Sequence, residues 1–254
     1  MTMKTISIIN LKGGVAKTIS AINIAYTLVK AHGKKVLLID NDKQGNTSKF
    51  FDLHDYSEKS LADLLTDRDC NIHSVIKSTV YESLDIIPAN MNLLQANKEI
   101  LLDVARPQQT RLRKALSQLN DEYDYCIIDN APDINMTVIN ALVATDDVLV
   151  PIKVDKFAFD GLEQLLDQVA NVQEFNESIV FKGCFITMYQ RNGVNTQGSE
   201  YLASSTDYPL FHTKIRKTVK VDETTFVGKP LLAYKKSTAG QDYEKLVKEY
   251  LEMC

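Results

Sequence analysis

The chain has 254 residues, of which 44% are hydrophobic and 24% charged, and its formal net charge is −4. That composition supplies ample chain for a buried core and excludes a uniformly basic protein, so any contact with nucleic acid must come from a local patch. No apolar run approaches the roughly 20 residues that span a bilayer, and the N-terminus lacks a basic-then-apolar leader, so a cytoplasmic location is expected. The four cysteines form no CxxC pair, which points away from a disulfide framework or a thiolate metal site.

The first predicted element is a strand over residues 5–9. It breaks into Asn10-Leu11-Lys12-Gly13-Gly14-Val15-Ala16-Lys17-Thr18, after which a helical pattern runs over residues 20–30 and ends near Gly33. A strand that turns through glycines into a helix gathers backbone N–H groups and a helix N-terminus around one point, which suits a phosphate chain. Lys17 can reach the outer phosphates, and the Thr18 hydroxyl can ligate Mg²⁺. Measured against the general GxxxxGKT/S pattern, Leu11 stands in place of the first glycine and Ala16 in place of the last, while a second lysine, Lys12, opens the loop.

A second strand over residues 36–39 ends in Asp40-Asn41-Asp42-Lys43-Gln44-Gly45-Asn46, a polar segment at a strand's carboxyl end, where open α/β sheets bind ligands. Ser60-Leu61-Ala62-Asp63 has the form of a capping box that opens a short helix. A strand over 84–87 is closed by Pro88, and helical patterns over 91–102 and 108–119 are separated by Pro107. The next strand, 125–128, ends in Asp129-Asn130-Ala131-Pro132. A helix over 135–144, a strand over 148–152, a helix over 161–175 and a strand over 179–187 continue the alternation. It predicts an α/β fold, a doubly wound and mostly parallel sheet with helices on both faces. No repeat, low-complexity tract or linker interrupts it, so residues 1–254 are expected to form a single domain.

Asp129, after four apolar or aromatic residues, has the form of a Walker B aspartate, which helps hold the shell of a Mg²⁺ ion. One strand-ending aspartate alone is more often a turn cap. Asp40, Asp42 and Asp129 in order behind a lysine-bearing glycine loop favour a nucleotide site.

These segments resemble the ParA/MinD group of deviant Walker P-loop ATPases. Lys12 to Thr18 is similar to that family's KGGxGKT/S loop except at Ala16, and 40–46 is similar to DxDPQGN with Lys43 in place of proline. The stretch 123–132 resembles YDYIIIDxPP, and the likeness continues through Ile139-Asn140-Ala141-Leu142, Gly161-Leu162, Thr187-Met188-Tyr189 and Gly228-Lys229-Pro230. The resemblance implies an ATP site formed by Lys12, Gly13, Gly14, Val15, Ala16, Lys17, Thr18 and Ile19, with Met188, Ile215 and Arg216 near the base. It implies Mg²⁺ held by Thr18 and, through its shell, by Asp40 and Asp129. Asp42 would position the attacking water, Lys17 would bind the β and γ phosphates, and Lys12 would reach the nucleotide of a second subunit in an ATP-dependent homodimer. Hydrolysis would be slow and stimulated by a ParB-like partner.

Residues 214–220 hold four basic side chains. Basic residues on a solvated face are common and most do nothing. In the ParA branch, however, the segment resembles IPRNVRLSEA, which implies non-specific DNA binding by Arg191, Lys214, Arg216, Lys217 and Lys220, and hence association with the nucleoid. The rival MinD branch implies a membrane-bound C-terminal amphipathic helix. Tyr243, Leu246, Val247, Tyr250 and Leu251 form such a stripe, but the polar face mixes both signs of charge and the sequence stops at Cys254, so a helix packed on its own domain and no membrane contact are expected. A nitrogenase-type iron protein would need cluster cysteines, whereas Cys126 lies inside a predicted strand. Because the first predicted strand opens the sequence, no helix-turn-helix extension of the kind in larger partition ATPases is expected, nor specific operator binding. A further alternative, a nucleotide-dependent binding module with little hydrolysis, arises from Ala16: if the loop needs φ > 0 there, its Cβ costs on the order of 1–2 kcal/mol, whereas at φ < 0 the alanine is innocuous.

Overall fold

The computed structural model describes residues 3–119, 121–204 and 207–253. Seven strands, β1 (Lys4–Ile8), β2 (Val36–Asn41), β3 (Lys77–Ser78), β4 (Leu84–Ile87), β5 (Tyr125–Asn130), β6 (Asp147–Lys153) and β7 (Val180–Thr187), form one sheet in the order β3-β4-β2-β5-β1-β6-β7. Every neighbouring pair is parallel except β3 with β4. The antiparallel edge strand is two residues long, too short for its alternation to show in the sequence.

Parallel strands buried on both faces must be apolar throughout, and the strand interiors follow that rule. Alternate residues of β2 serve different cores: Val36 and Leu38 pack with β1 and one helical layer, while Leu37 and Ile39 pack with the other. The first layer is α1 (Lys17–His32) and α10 (Thr238–Glu252). The opposite layer comprises α3 (Leu61–Thr66), α4 (Asn92–Leu102) and α5 (Arg111–Leu116), then α6 (Met136–Val143) and α7 (Leu162–Val172) against β6 and β7. Cys126 and Cys184 are wholly buried within strands β5 and β7, small apolar members of these cores.

Local signals set the helix ends. Gly33 closes α1 in the left-handed region at φ 61°, and Ser60 with Asp63 forms the expected capping box, the Ser60 N–H donating to Asp63 at 2.8 Å. The pattern over 108–119 yields a shorter α5 followed by a 3₁₀ turn, Ser117–Leu119. Its start is fixed from elsewhere in the chain, because the Asn140 side-chain oxygen accepts from the backbone N–H groups of Arg111 and Leu112. Among the described residues, three α-helices lie outside the predicted set: α2 (Asn46–Phe50), α8 (Gly193–Ser204) and α9 (Lys220–Val227).

The C-terminal stripe is buried. Tyr243, Leu246, Val247 and Tyr250 are each 2% exposed or less, packed across α1, and the Tyr243 hydroxyl lies 2.9 Å from the Ser20 hydroxyl. Among the described residues no helix is long and apolar enough to cross a membrane.

Candidate nucleotide-binding site

Strand order brings the loops together. β1 sits between β5 and β6, so the chain reverses its winding direction there, and the segments leaving β1, β2 and β5 emerge side by side at their carboxyl ends. The loop from Ile9 to Ala16 arches over that edge. Its backbone is pinned by Asn10, whose amide donates to the Pro151 carbonyl at 2.9 Å and whose oxygen accepts from the Lys12 N–H at 2.8 Å. The Thr187 hydroxyl lies 3.1 Å from the carbonyls of both Val15 and Ile152. Leu11 packs on Gly161, which accounts for a side chain where the general loop has glycine.

Gly14 has φ 71°, and Ala16, immediately before α1, has φ 65° and ψ 32°. The loop thus requires φ > 0 at the alanine, and the reading in which alanine sits there without strain fails. A Cβ on Gly13 or Gly14 would meet no protein atom within 4 Å, so these glycines border open space that an approaching phosphate can use. Lys17 is 8% exposed and its ammonium donates to the Lys12 carbonyl at 2.9 Å, spanning the loop. Burial lowers the Lys17 pKa, and the carboxylates of Asp129 and Asp42 partly offset that effect.

Asp40 and Asp129 are direct register partners on adjacent strands, and both are buried. Burial raises both pKa values, Asp40 to about 8 with a further push from the Asp129 charge, and Asp129 to about 6 against the opposing pull of Thr47, Thr18 and Lys17. Two neighbouring carboxyls in a dry site call for a cation, and Asp129 Oδ1 is buried with no hydrogen-bond partner. Among the described residues no three His, Cys, Asp or Glu side chains converge as direct metal ligands. That donor set fits Mg²⁺, which keeps most of its waters and takes few direct protein ligands. Asp42 closes the turn beyond Asp40, its carboxylate accepting from the Gln44 N–H at 2.9 Å.

A cavity of about 350 Å³ opens beside the start of α1, and its lining includes Ala16, Ile19, Met188, Ile215, Arg216 and Tyr243. All three residues expected near the base therefore face one space next to the phosphate loop. Lys12 instead turns to its own chain: its ammonium contacts the Phe157 carbonyl, lies 3.3 Å from Asp155 Oδ1 and sits 5.7 Å from the Phe157 ring centre.

The five basic residues divide. Arg216 is clamped by Asp242 through two side-chain hydrogen bonds of 2.8 and 2.7 Å. Lys220 pairs with Glu223 at 2.6 Å, and Lys214 donates to the Ser199 hydroxyl at 2.8 Å beneath the Tyr189 ring. Arg191 and Lys217 are exposed. Arg191, Lys214 and Arg216 line an open groove of about 400 Å³ together with His212 and Lys245, and Arg216 also borders the cavity beside α1. Sequence reasoning missed Thr47, Ser48 and Asp242. The first two are ordinary hydroxyls after a turn, and the third lies inside an amphipathic stripe, so none carried a local signal.

Comparison with known proteins places this geometry in a lineage. A family model described as an AAA domain matches residues 3–181. The chain is 35% identical over 250 residues to the sporulation initiation inhibitor protein Soj of Bacillus subtilis, covering 97% of each chain. It is 34% identical over 255 residues to the chromosome partitioning protein ParA of Caulobacter vibrioides, covering 98% of this chain and 94% of that one. Among solved structures it superposes with a TM-score of 0.84 and 26% identity on cobyrinic acid a,c-diamide synthase from Mycobacterium smegmatis with bound ATP analogue and magnesium, over 98% of this chain and 95% of the other. The cell division ATPase MinD of Pyrococcus furiosus, at 21% identity and a TM-score of 0.76, shares the fold. With its lysine-first phosphate loop, its two strand-end aspartates and its sheet order, the chain belongs to the ParA/Soj family of P-loop ATPases.

Proposed function

We propose that this chain is a partitioning ATPase that binds ATP with Mg²⁺, dimerises around the nucleotide, holds DNA without sequence preference and responds to a ParB-like partner. The observation that carries the reading is the convergence of the Lys12–Thr18 loop, the Asp40/Asp129 pair and the cavity lined by Met188, Ile215 and Arg216 at one sheet edge. In this reading Lys17 neutralises the outer phosphates and the α1 N-terminus receives them. Thr18 ligates Mg²⁺, and Asp40 and Asp129 hold its water shell. Mg²⁺, when bound, supplies charge neutralisation for phosphoryl transfer. Asp42, fixed in its turn, orients the attacking water.

Lys12 leaves the Asp155–Phe157 turn and supplies its charge to the second subunit's nucleotide, acting as an arginine finger does. Lys12→Ala is therefore expected to abolish ATP-dependent dimerisation while nucleotide binding to the monomer persists. Multi-angle light scattering with ATP checks this, and a normal dimer from the variant would refute the reading. The buried C-terminal stripe favours the DNA-associated branch, in the cell interior at the nucleoid, over the membrane-associated one.

A further inference from the structure

Helix α2 follows the turn that carries Asp42, and its first residues meet the two strand-end aspartates. Thr47 and Ser48 are adjacent in the chain and fully buried, and each takes one carboxyl. The Thr47 hydroxyl donates to Asp129 Oδ2 at 2.7 Å. The Ser48 hydroxyl and backbone N–H donate to Asp40 Oδ2 at 2.7 and 2.8 Å. Ser48 Oγ also accepts from the Ala89 N–H at 2.8 Å, which fixes its proton toward Asp40.

Hydroxyl donors of this kind fix the orientation of a carboxyl and decide which of its oxygens remains for another partner. At Asp129 the oxygens divide: Oδ2 is held by Thr47 at 2.7 Å, whereas Oδ1 is buried and makes no hydrogen bond, Thr18 supplying the other hydroxyl that acts on this carboxyl. Gly45, at φ 64° just ahead of α2, makes this placement strict. A Cβ there would come within 2.6 Å of the Ala89 carbonyl, so the turn and helix are seated hard against the loop after β4.

We propose that Thr47 and Ser48 are the positioning residues of the Mg²⁺ site. Thr47 ties back one oxygen of Asp129 and leaves Oδ1 to the metal's shell. Ser48 holds one oxygen of Asp40 in place beside it and ties that carboxyl to the backbone at Ala89. The proposal rests on the assignment of Asp40 and Asp129 to the Mg²⁺ shell.

The test measures ADP affinity by fluorescent-analogue titration, once with Mg²⁺ and once with EDTA. Partners that orient metal-holding groups are generally worth about 10–100-fold in metal affinity. Thr47→Val keeps the side chain's shape and removes the donor. It is expected to erase most of the Mg²⁺-dependent gain in ADP affinity, by about tenfold, and to leave the EDTA value within about twofold, with Thr47→Ser restoring the gain. A variant that loses affinity equally in both conditions, or keeps the full Mg²⁺ gain, overturns the proposal. Asp129→Asn separates the two levels. If it retains the Mg²⁺ gain, the shell assignment fails; if it loses the gain while Thr47→Val keeps it, only the role of Thr47 fails. Ser48→Ala, which strands the Ala89 N–H, is read beside Ser48→Thr: Ser48→Thr is expected to keep the Mg²⁺ gain that Ser48→Ala loses, and equal behaviour of the two refutes the role of Ser48.

Discussion

Ala16 shows how one residue can be read correctly as unusual without its consequence being known. The pattern marks it as the missing glycine of the phosphate loop, but only the backbone decides between a harmless alanine and a strained one. At φ 65° it is strained. The strained position is the residue just before α1, so the cost is expected to fall on folding. A left-handed non-glycine residue costs about 1–2 kcal/mol, and replacement by glycine returns part of that as unfolded-state entropy. Ala16→Gly is therefore expected to stabilise the chain by roughly 1 kcal/mol or less, raising Tm by about 2–4 °C in a domain of this size, with ADP affinity changed by less than about threefold. Thermal unfolding and calorimetric titration check both parts. A large gain in affinity would show that the alanine distorts the cradle, and would revive the reading as a weakly hydrolysing module.

At the scale of elements, α10 carries a clear apolar stripe and α9 does not. The stripe of α10 has the spacing of a membrane-surface helix, and sequence alone separates the two uses only through the mixed charge of the polar face. Packing settles it: Tyr243, Leu246, Val247 and Tyr250 fill the layer over α1. Truncating a buried leucine removes apolar burial and leaves a cavity, so Leu246→Ala is expected to cost about 2–5 kcal/mol in urea unfolding. The intact protein is expected to stay in the supernatant in ATP-supplemented liposome sedimentation; pelleting would count against the packed reading. α9 carries no such stripe: Val221 packs against the core, but Phe226 and Val227 are 92% and 61% exposed, and its start is set by the preceding turn, where the Lys220 N–H donates to the Thr218 hydroxyl.

For the whole molecule, the acidic net charge makes DNA binding a question of which cations are free. Arg216 neutralises the largely buried Asp242, whereas Lys217 and Arg191 have open side chains. Lys217→Ala is expected to weaken binding alike for all sequences and to reduce the slope of log affinity against log salt by about 1. Arg216→Ala is expected to lower stability as well, by about 1–3 kcal/mol, because it removes the guanidinium and leaves the largely buried Asp242 carboxylate only the backbone N–H of residue 216. Fluorescence anisotropy across a salt series checks the first, and unfolding the second; binding that does not change with salt would refute the phosphate-contact reading. Six of the seven strands, the βα alternation, the phosphate loop and the aspartates were legible in the sequence because each rests on short-range order: apolar runs, glycines at fixed offsets, a carboxylate at a strand's end. The strand order was not, nor the pairing of Asp40 with Asp129, the Thr47 and Ser48 donors, the clamp on Arg216 or the hold on Lys12. Those are contacts between residues far apart in the chain, or between hydroxyls and carboxylates whose types are common everywhere, and only the assembled sheet gives them neighbours. Local pattern determined what each segment is, and tertiary packing determined which charges are buried, paired or free to act.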